Sequence, residues 1–303
     1  MDRDLLSHLP VILAVARRKS FAAAASERGM SPSAVSHAVR LVEERLGVPL
    51  FARTTRSVAL TEAGTALVAS ATPALQDIAD RVERIRAVKG RVSGLLRLNV
   101  PRLALSMVMT PVVREMARRF PDVTVEICAD DALANIVEEG FDAGIRLGKM
   151  IAEDMITVRL TPPFRAIVVA SPAYLSERGR PKTIAALKDH NCIGYRLIKS
   201  GALYRWQLLE DGREVAVEAP GNTVINDPMY ALDLARAGVG LAYVMEPLVR
   251  ADMAAGRLRQ VLTKSAGEWP GLFLYYPKRA ALAPKLRTFI DTTKDVLRRS
   301  KHA

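Results

Sequence analysis

One short segment carries polar side chains of the kinds that bind nucleic acid. It is MSPSAVSHAVRLVEERLG, residues 30–47. Apolar residues at helical spacing would form one stripe of a helix, and they are Val35, Ala38, Val39, Val42 and Leu46. The opposite face would carry Ser33, Ser36, His37, Arg40 and Glu44. Because Ser, His and Arg donate hydrogen bonds to base edges and phosphate oxygens, this face is a candidate reader of double-stranded DNA.

The residues around this segment decide between that hypothesis and an ordinary amphipathic helix with a solvated face. Ser31 can cap the helix, Pro32 suits its first position, and Gly47 can end it. Before it, Ser20 can cap an alanine-rich helix that Gly29 would end. Two short helices joined through a glycine turn, the first thin enough for close crossing, predict a helix-turn-helix.

A second basic element follows the predicted reading helix. Residues 50–60 read as two short extended pieces around a turn, which is typical of a wing, and the turn can contact the DNA backbone. The residues predicted to bind DNA are Ser31, Pro32, Ser33, Ser36, His37, Arg40, Arg53, Thr54, Thr55 and Arg56.

A long helix, capped by Thr61, should connect this region to the rest of the chain. Its apolar residues recur at steps of four and three, the spacing of a helix that pairs with another helix, and they are Leu67, Ala71, Leu75, Ile78, Val82 and Ile85. We expect this seam to form a homodimer or homotetramer, with packing inside one chain as the alternative. A dimer would match an operator with dyad symmetry. Pro73 should kink the helix or limit its first half.

Composition excludes several other classes of protein. The chain has 303 residues, is 50% hydrophobic and carries a net charge of +12, which allows several folded domains and favours a polyanionic partner. No apolar run reaches the length of a membrane span and no signal peptide is apparent, so we expect a cytoplasmic protein without a membrane partner. Cys128 and Cys192 form no metal-binding pattern, and we expect no metal and no cofactor.

Beyond residue 90 the sequence predicts alternating strands and helices of an α/β fold. Strands are expected at 95–100, 123–128, 142–146, 156–160, 166–170, 215–218, 241–244 and 272–276, and helices at 105–120, 133–139 and 284–299. The four histidines are scattered, and no catalytic motif for hydrolysis, phosphate binding or metal binding stands in the sequence. An α/β enzyme with a DNA-binding appendage is the competing hypothesis, and we expect no enzyme and no catalytic residue. A transport-type binding protein is disfavoured by the missing signal sequence.

The chain resembles LysR-type transcriptional regulators. Over residues 11–79 the resemblance rests on SF-x-x-AA, A-V-S, E-x-x-LG-x-x-LF-x-R-T-T-R and LTEAG, in that order. Further along it rests on FDAGIRLG, VVASPAYL, NDP and AGVGLAY, so it spans nearly the whole chain. Three positions depart from the family pattern. Arg28 stands where a buried leucine is usual, Pro32 where a base-reading glutamine is frequent, and His37 where an arginine is frequent, so no operator sequence can be carried over.

The resemblance implies a winged helix-turn-helix domain at 1–60, a linker helix at 61–90 and an effector domain at 91–303. The effector domain should resemble a periplasmic binding protein, with lobe I at about 95–160 and 267–303 and lobe II at about 161–266. A small-molecule effector is expected between the lobes, where strand ends and helix N-termini meet. RNA polymerase is an expected partner if the protein activates transcription.

Guanidinium groups near those strand ends make a small organic acid our hypothesis for the effector. Arg102 and Arg146 would clamp its carboxylate, and Tyr204 or Tyr195 would stack or donate a hydrogen bond. The alternatives are that Arg146 forms a salt bridge with a neighbour such as Asp142, that Arg102 is merely exposed, and that Asp227 only caps a helix. The predicted effector-binding residues are Pro101, Arg102, Asp130, Arg146, Ser200, Gly201, Tyr204, Asn226 and Asp227.

Overall fold

The N-terminal part of the molecule is a small helical domain with a two-stranded wing and a long helix. The structure, a computed structural model, describes residues 3–53, 58–87, 92–132, 135–148, 151 and 155–299. The elements of this part are α1 (Arg3–Arg18), α2 (Phe21–Arg28), α3 (Pro32–Leu46), β1 (Phe51–Arg53), β2 (Val58–Leu60) and α4 (Glu62–Ala87).

The helix ends lie where the sequence predicts them. The Ser20 hydroxyl accepts from Ala23 N and the Ser31 hydroxyl accepts from Ala34 N, each at 3.2 Å. Gly29 and Gly47 end α2 and α3 in the left-handed region, with φ of 62° and 69°. The caps leave a very short connection between α2 and α3, as a helix-turn-helix requires.

Helices α1, α2 and α3 share one apolar core. Val35, Ala38, Val39 and Val42 are buried as predicted, but Leu46 is 40% exposed because α3 ends beside it. Helix α1 buries apolar residues over more than one narrow stripe. Its buried residues are Leu9, Val11, Ile12, Ala14 and Val15, because both α2 and α3 cover this helix.

The wing is an antiparallel pair in which Phe51 faces Leu60 and Arg53 faces Val58. The predicted turn residues Thr54, Thr55 and Arg56 lie outside the described residues. Thr61 caps α4 as expected, since its hydroxyl accepts from Gly64 N at 3.0 Å. Helix α4 continues through Pro73 over 26 residues, so Pro73 does not limit its first half, and the alternative that Pro73 kinks the helix stays a prediction.

The first lobe is built on a five-stranded mixed sheet. Its elements are β3 (Gly94–Val100), α5 (Arg102–Ala104), a π-helical turn (Leu105–Met109), α6 (Thr110–Arg119), β4 (Val123–Ala129), β5 (Ala143–Leu147) and β6 (Ile156–Arg159), with β15 and α10 returning from the C-terminal end of the chain. The strand order is β4-β3-β5-β15-β6, in which β3 runs parallel to β4 and β5. One face of this sheet forms the largest core, against α6 and α10.

The second lobe is built around a four-stranded sheet that is centred on β7. Its elements are β7 (Phe164–Ala170), α7 (Pro172–Arg178), β8 (Ile193–Tyr195), β9 (Trp206–Glu210), β10 (Arg213–Val217), β11 (Thr223–Ile225), α8 (Tyr230–Arg236), β12 (Ala242–Met245), α9 (Glu246–Ala254), β13 (Arg259–Val261) and β14 (Gly267–Trp269). The chain then returns to lobe I as β15 (Leu272–Tyr276) and α10 (Pro284–Arg299). Because β14 pairs with β7, this return begins after residue 269, slightly later than expected.

All eight strands predicted beyond residue 90 are present, with bounds shifted by at most two residues, and five short strands were not predicted. The strands missed are β8, β9, β11, β13 and β14, which have three to five residues each. The predicted helix at 133–139 is wrong in its described part, because residues 136–140 form turns. Asn135 stabilises those turns, as its side chain accepts from Val137 N at 3.2 Å. Within the described residues, no helix combines the length and apolar character that a bilayer span requires.

Gly64 provides a test of how tightly the wing packs on α4. A Cβ at Gly64 would lie 2.0 Å from the Leu50 carbonyl oxygen, which is backbone and cannot move aside cheaply. We expect Gly64→Ala to lower the free energy of unfolding by about 1–2 kcal/mol, since overpacking outweighs the gain in helix propensity. Urea unfolding followed by circular dichroism measures this, with Ser70→Ala on the exposed face of α4 as control. Equal stability of Gly64→Ala and the wild type would contradict the predicted clash.

Candidate functional site

The exposed face of α3 brings together most of the residues predicted to read DNA. Ser31, Ser33, Ser36, His37 and Arg40 line one open surface concavity. The hydroxyls of Ser31 and Ser33 are 2.9 Å apart, and Pro32 between them is exposed. The apolar stripe of the same helix faces the core, so these polar groups are fixed in orientation without being buried. The arrangement can donate hydrogen bonds to the edges of bases in a major groove.

Arg40 is held only weakly within the chain. Its Nε lies 3.7 Å from Glu44 Oε1, and both side chains are about two-thirds exposed. Exposed pairs of this kind contribute about 0–1 kcal/mol, so the guanidinium can turn to a phosphate at little cost.

Glu43 has a positioning role that the sequence analysis missed. Its Oε1 accepts hydrogen bonds from Leu50 N at 2.7 Å and from Phe51 N at 3.1 Å, so α3 carries the start of the wing. The signal in the sequence was a carboxylate on the last turn of α3, shortly before the strand. Arg53 lies on β1, whereas nothing more is described of the wing turn.

The apolar seam of α4 divides into two halves. Leu67 packs against the core of the helical domain, and Ala71 is buried. Ile78, Val82 and Ile85 are 58%, 40% and 72% exposed. Packing inside one chain therefore accounts for the start of the predicted seam, and its second half presents apolar side chains to solvent.

Arg102 lies between the two lobes and contacts both of them. Its backbone N–H and its Nη1 donate to the Asp131 carboxylate at 3.0 and 2.9 Å, and its Nε lies 3.7 Å from Asp227 Oδ2. Asp131 belongs to lobe I and Asp227 to lobe II. The bonds to Asp131 raise the pKa of the Arg102 guanidinium, which stays one-third exposed. The alternative that Arg102 is merely exposed is wrong.

Arg146 and Pro101 are buried, in contrast to their predicted contact with an effector. Arg146 is 2% exposed, and its guanidinium donates to the carbonyls of Ile145 and Ala132 and to Asn99 Oδ1. Its Nε has no hydrogen-bond partner among the residues that the structure describes, and burial lowers the pKa of the guanidinium. Arg146 is therefore not an open carboxylate clamp in this structure. The alternative pairing of Arg146 with Asp142 is wrong too, because Asp142 pairs with Lys285.

The other predicted effector residues lie on loops near the strand ends. Asp130 accepts from Ala132 N at 2.9 Å, and Asp227 accepts from Met229 N at 2.8 Å just before α8. Asp227 therefore caps that turn and also faces Arg102. Asn226 is exposed beside it.

A hairpin after β8 carries the remaining three predicted residues. Ser200 and Gly201 are exposed at its turn, where Gly201 has a φ of 68°. The Tyr204 ring packs edge-on to Tyr195 at 6.5 Å and parallel to Tyr243 at 6.3 Å, and burial raises the pKa of its hydroxyl. Burial also raises the pKa of Tyr195, which lies close enough to Asp131, Arg102 and Asp227 to be influenced by their charges.

Two departures from the family pattern have a structural account. Arg28 is exposed at the end of α2, and Met30 packs against the core of the helical domain close to it. His37 is exposed on the face of α3 that was predicted to read DNA. Among the described residues, no three His, Cys, Asp or Glu side chains come together in a group that could hold a metal ion.

Comparison with known families matches nearly the whole chain. The family described as "Bacterial regulatory helix-turn-helix protein, lysR family" matches residues 6–65, and the family described as "LysR substrate binding domain" matches residues 89–298.

Relatives and solved structures agree with those matches. The chain is 36% identical to the uncharacterized HTH-type transcriptional regulator YcaN of Escherichia coli over 95% of this chain and 94% of YcaN. It is also 36% identical to the E. coli HTH-type transcriptional regulator PgrR, over 97% of this chain and 98% of PgrR. The structure of the LysR-type regulator CrgA from Neisseria meningitidis shares 27% identity and covers 96% of this chain and 98% of its own, with a TM-score of 0.61. Full-length AphB of Vibrio cholerae, 22% identical, has the same fold with a TM-score of 0.60 and covers 95% of this chain and 98% of its own.

Proposed function

The chain belongs to the LysR family of bacterial helix-turn-helix regulators, and we propose which of its residues read DNA, join subunits and bind effector. Like other members, it is a DNA-binding transcriptional regulator that responds to a small-molecule effector through its substrate-binding domain. The relatives named above are transcriptional regulators, and we propose that this chain is likewise not an enzyme. RNA polymerase is proposed as a partner for the case of activation, and the cytoplasmic location stays a prediction.

The exposed Ser-His-Arg face of α3 is the observation that carries the proposal for DNA. Ser33, Ser36 and His37 project from the first two turns, which hold no carboxylate, so they can approach base edges. Arg40 and the basic residues of the wing supply phosphate contacts. Base contacts set sequence preference, and phosphate contacts set affinity for any duplex and its dependence on salt.

We therefore expect substitution of a base-contacting residue and of a phosphate-contacting residue to affect different properties of DNA binding. His37→Ala should lower affinity for the specific site by about 1–3 kcal/mol and leave binding to scrambled DNA nearly unchanged. Arg53→Ala should weaken binding to every duplex and reduce the slope of log K against log salt by about 0.9 for each subunit whose wing contacts the duplex.

Fluorescence anisotropy at several salt concentrations measures both effects, with DNA from upstream of the gene against scrambled DNA. The wild type should prefer its site by about 10³-fold or more. Equal binding of the wild type to both duplexes would count against a role of this promoter as target. A loss confined to the specific site in Arg53→Ala would contradict its assignment to phosphate.

For self-association, we propose the second half of the α4 seam. Its exposed residues Ile78, Val82 and Ile85 follow one another at helical spacing, and a second copy of the helix would cover them.

Ile78→Asp should weaken this association by placing a charge in an apolar contact. Sedimentation velocity should show a shift from the assembled state toward the monomer. Asp77→Asn, one position away and exposed, serves as control and should sediment as the wild type does. An unchanged assembly in Ile78→Asp would remove this seam from the interface.

For the effector, we propose that binding replaces the contact between Arg102 and Asp227 across the lobes. A carboxylate on the effector would take the place of Asp227 at Arg102, and a donor group on the same molecule would keep Asp227 paired. This retains a small organic acid as effector and adds an amino or other donor group to it. Both side chains are partly exposed, so the exchange leaves neither charge buried without a partner.

A thermal-shift screen of small carboxylic acids and amino acids tests this assignment. Compounds that stabilise the wild type should do so by about 2.7 kcal/mol at one hundred times their Kd. Arg102→Met should abolish that stabilisation, whereas Arg165→Met, which removes an exposed guanidinium paired with Glu246, should keep it. A compound that stabilises Arg102→Met as strongly as the wild type binds elsewhere.

A further inference from the structure

A buried polar cluster joins the linker helix α4 to lobe I. Gln76 on α4 donates from Nε2 to Asp142 Oδ1 at 3.0 Å. Asp142 Oδ1 also lies 3.2 Å from Lys285 Nζ on α10, and both side chains of that ion pair are 4% exposed. Asp142 Oδ2 accepts from Arg97 N on β3 at 2.7 Å. One carboxylate therefore binds α4, β3 and α10 together.

Lys285 and Asp142, the two members of the ion pair, are each also held by the backbone of β3. Lys285 Nζ donates to the Leu95 carbonyl of β3 at 2.8 Å, and Asp142 N donates to the Arg97 carbonyl at 2.9 Å. Burial raises the pKa of Asp142, and the charge of Lys285 opposes this rise. A buried carboxylate with this many partners can occupy very few alternative positions.

The loop before β5 also approaches the DNA-binding half of the chain. Gly140 has a φ of 69°, and a Cβ there would lie 3.9 Å from Arg17 Nη1 on α1 and 4.0 Å from Thr72 Cγ2 on α4. Arg97 holds this loop from inside, since its Nη1 donates to the carbonyls of Glu139 and Gly140 at 3.2 and 3.0 Å. The loop is thus fixed to lobe I on one side and packs toward α1 and α4 on the other.

Strands β3 and β5 connect this cluster to the interlobe cleft. Arg97 at the cluster lies on β3, and Arg102 at the cleft begins α5 two residues after β3 ends at Val100. Asn99 and Arg146, which hydrogen-bond between β3 and β5, lie in between, and Arg146 also holds the Ala132 carbonyl next to Asp131. A change in the position of Arg102 or Asp131 therefore acts on the same two strands that hold Asp142.

From these contacts we infer that Gln76 and Asp142 are positioning residues, which keep the linker helix α4 in a fixed orientation on lobe I when the lobes move. The inference rests on the proposed function, because it presumes that the helix-turn-helix pairs bind DNA and that α4 carries them. In this arrangement the hydrogen bond between Gln76 and Asp142 fixes the orientation of α4 against lobe I. Lobe movement at the cleft then changes the placement of α3, and DNA binding acts back on the cleft by the same amount of coupling free energy.

This reciprocity allows a test without a known effector. The probe is a duplex that the full-length wild type selects from a random library. Hydrogen exchange of the cleft segments 99–104, 129–132 and 225–229 is measured with and without this duplex. In the wild type, duplex should change exchange in these segments by about fivefold or more, the low end of usual allosteric coupling.

Gln76→Met removes the donor and keeps the length and helix propensity of the side chain. It should bind the duplex within about threefold of the wild-type Kd, since α3 is untouched, and should lose the response at the cleft. Gln207→Met is the matched control, because this half-buried amide also donates to a carbonyl, that of Arg205 at 3.0 Å, but lies on β9 away from α4. It should keep both duplex binding and the cleft response.

A second variant at the same position distinguishes loss of coupling from loss of folding. Gln76→Glu places a carboxylate against Asp142 and should lose the cleft response as Gln76→Met does, which guards against one variant failing to fold. A full cleft response in either Gln76 variant would overturn the inference, and so would a wild type that binds duplex without any response. A wild type that selects no duplex would instead refute the proposed DNA-binding function.

Discussion

The ion pair between Asp142 and Lys285 is the interaction on which the arrangement of the effector domain and linker helix depends. Both charges are buried, and the loss of either partner from such a pair costs about 3–5 kcal/mol. Their remaining hydrogen-bonding capacity is used by backbone groups of β3 and by Gln76 of α4. These bonds fix β3, α10 and α4 relative to one another, so lobe I and the linker helix form one mechanical unit.

The proposed DNA-binding face depends on exposed polar side chains instead of buried, paired ones. Its exposed side chains are Ser31, Ser33, His37 and Arg40, and Ser36 is half-buried. The contact between Arg40 and Glu44 is weak enough to exchange for a phosphate. Rigidity comes from beneath this face, where the apolar stripe of α3 packs on α1 and α2 and Glu43 holds the start of the wing. Ordered backbone combined with uncommitted polar side chains lets a helix enter a groove without breaking strong internal bonds.

Local chemistry explains which parts of this fold could be predicted from sequence. Caps such as Ser20, Ser31 and Thr61, and stops such as Gly29 and Gly47, act within a few residues, and each lies where it was predicted. The missed strands β8, β9, β11, β13 and β14 are too short for a periodic signal and are set by tertiary pairing. Arg102 and Arg146 looked alike in sequence, and only the burial of one and the pairing of the other distinguish them. Asp131 and Gln76 were missed because their partners are 29 and 66 residues away.

The contrast between the two charged contacts of lobe I indicates where the molecule can move. The contact from Arg102 to Asp227 crosses the lobes, is partly exposed and is 3.7 Å long, so little free energy opposes its rearrangement. The contact from Asp142 to Lys285 is buried and surrounded by further bonds, so it resists rearrangement. Lobe II should therefore move against lobe I, while α4 stays with lobe I. In the proposed assembly through α4, such a movement would change the distance or angle between the two proposed recognition helices, and binding to an operator with dyad symmetry depends on that spacing.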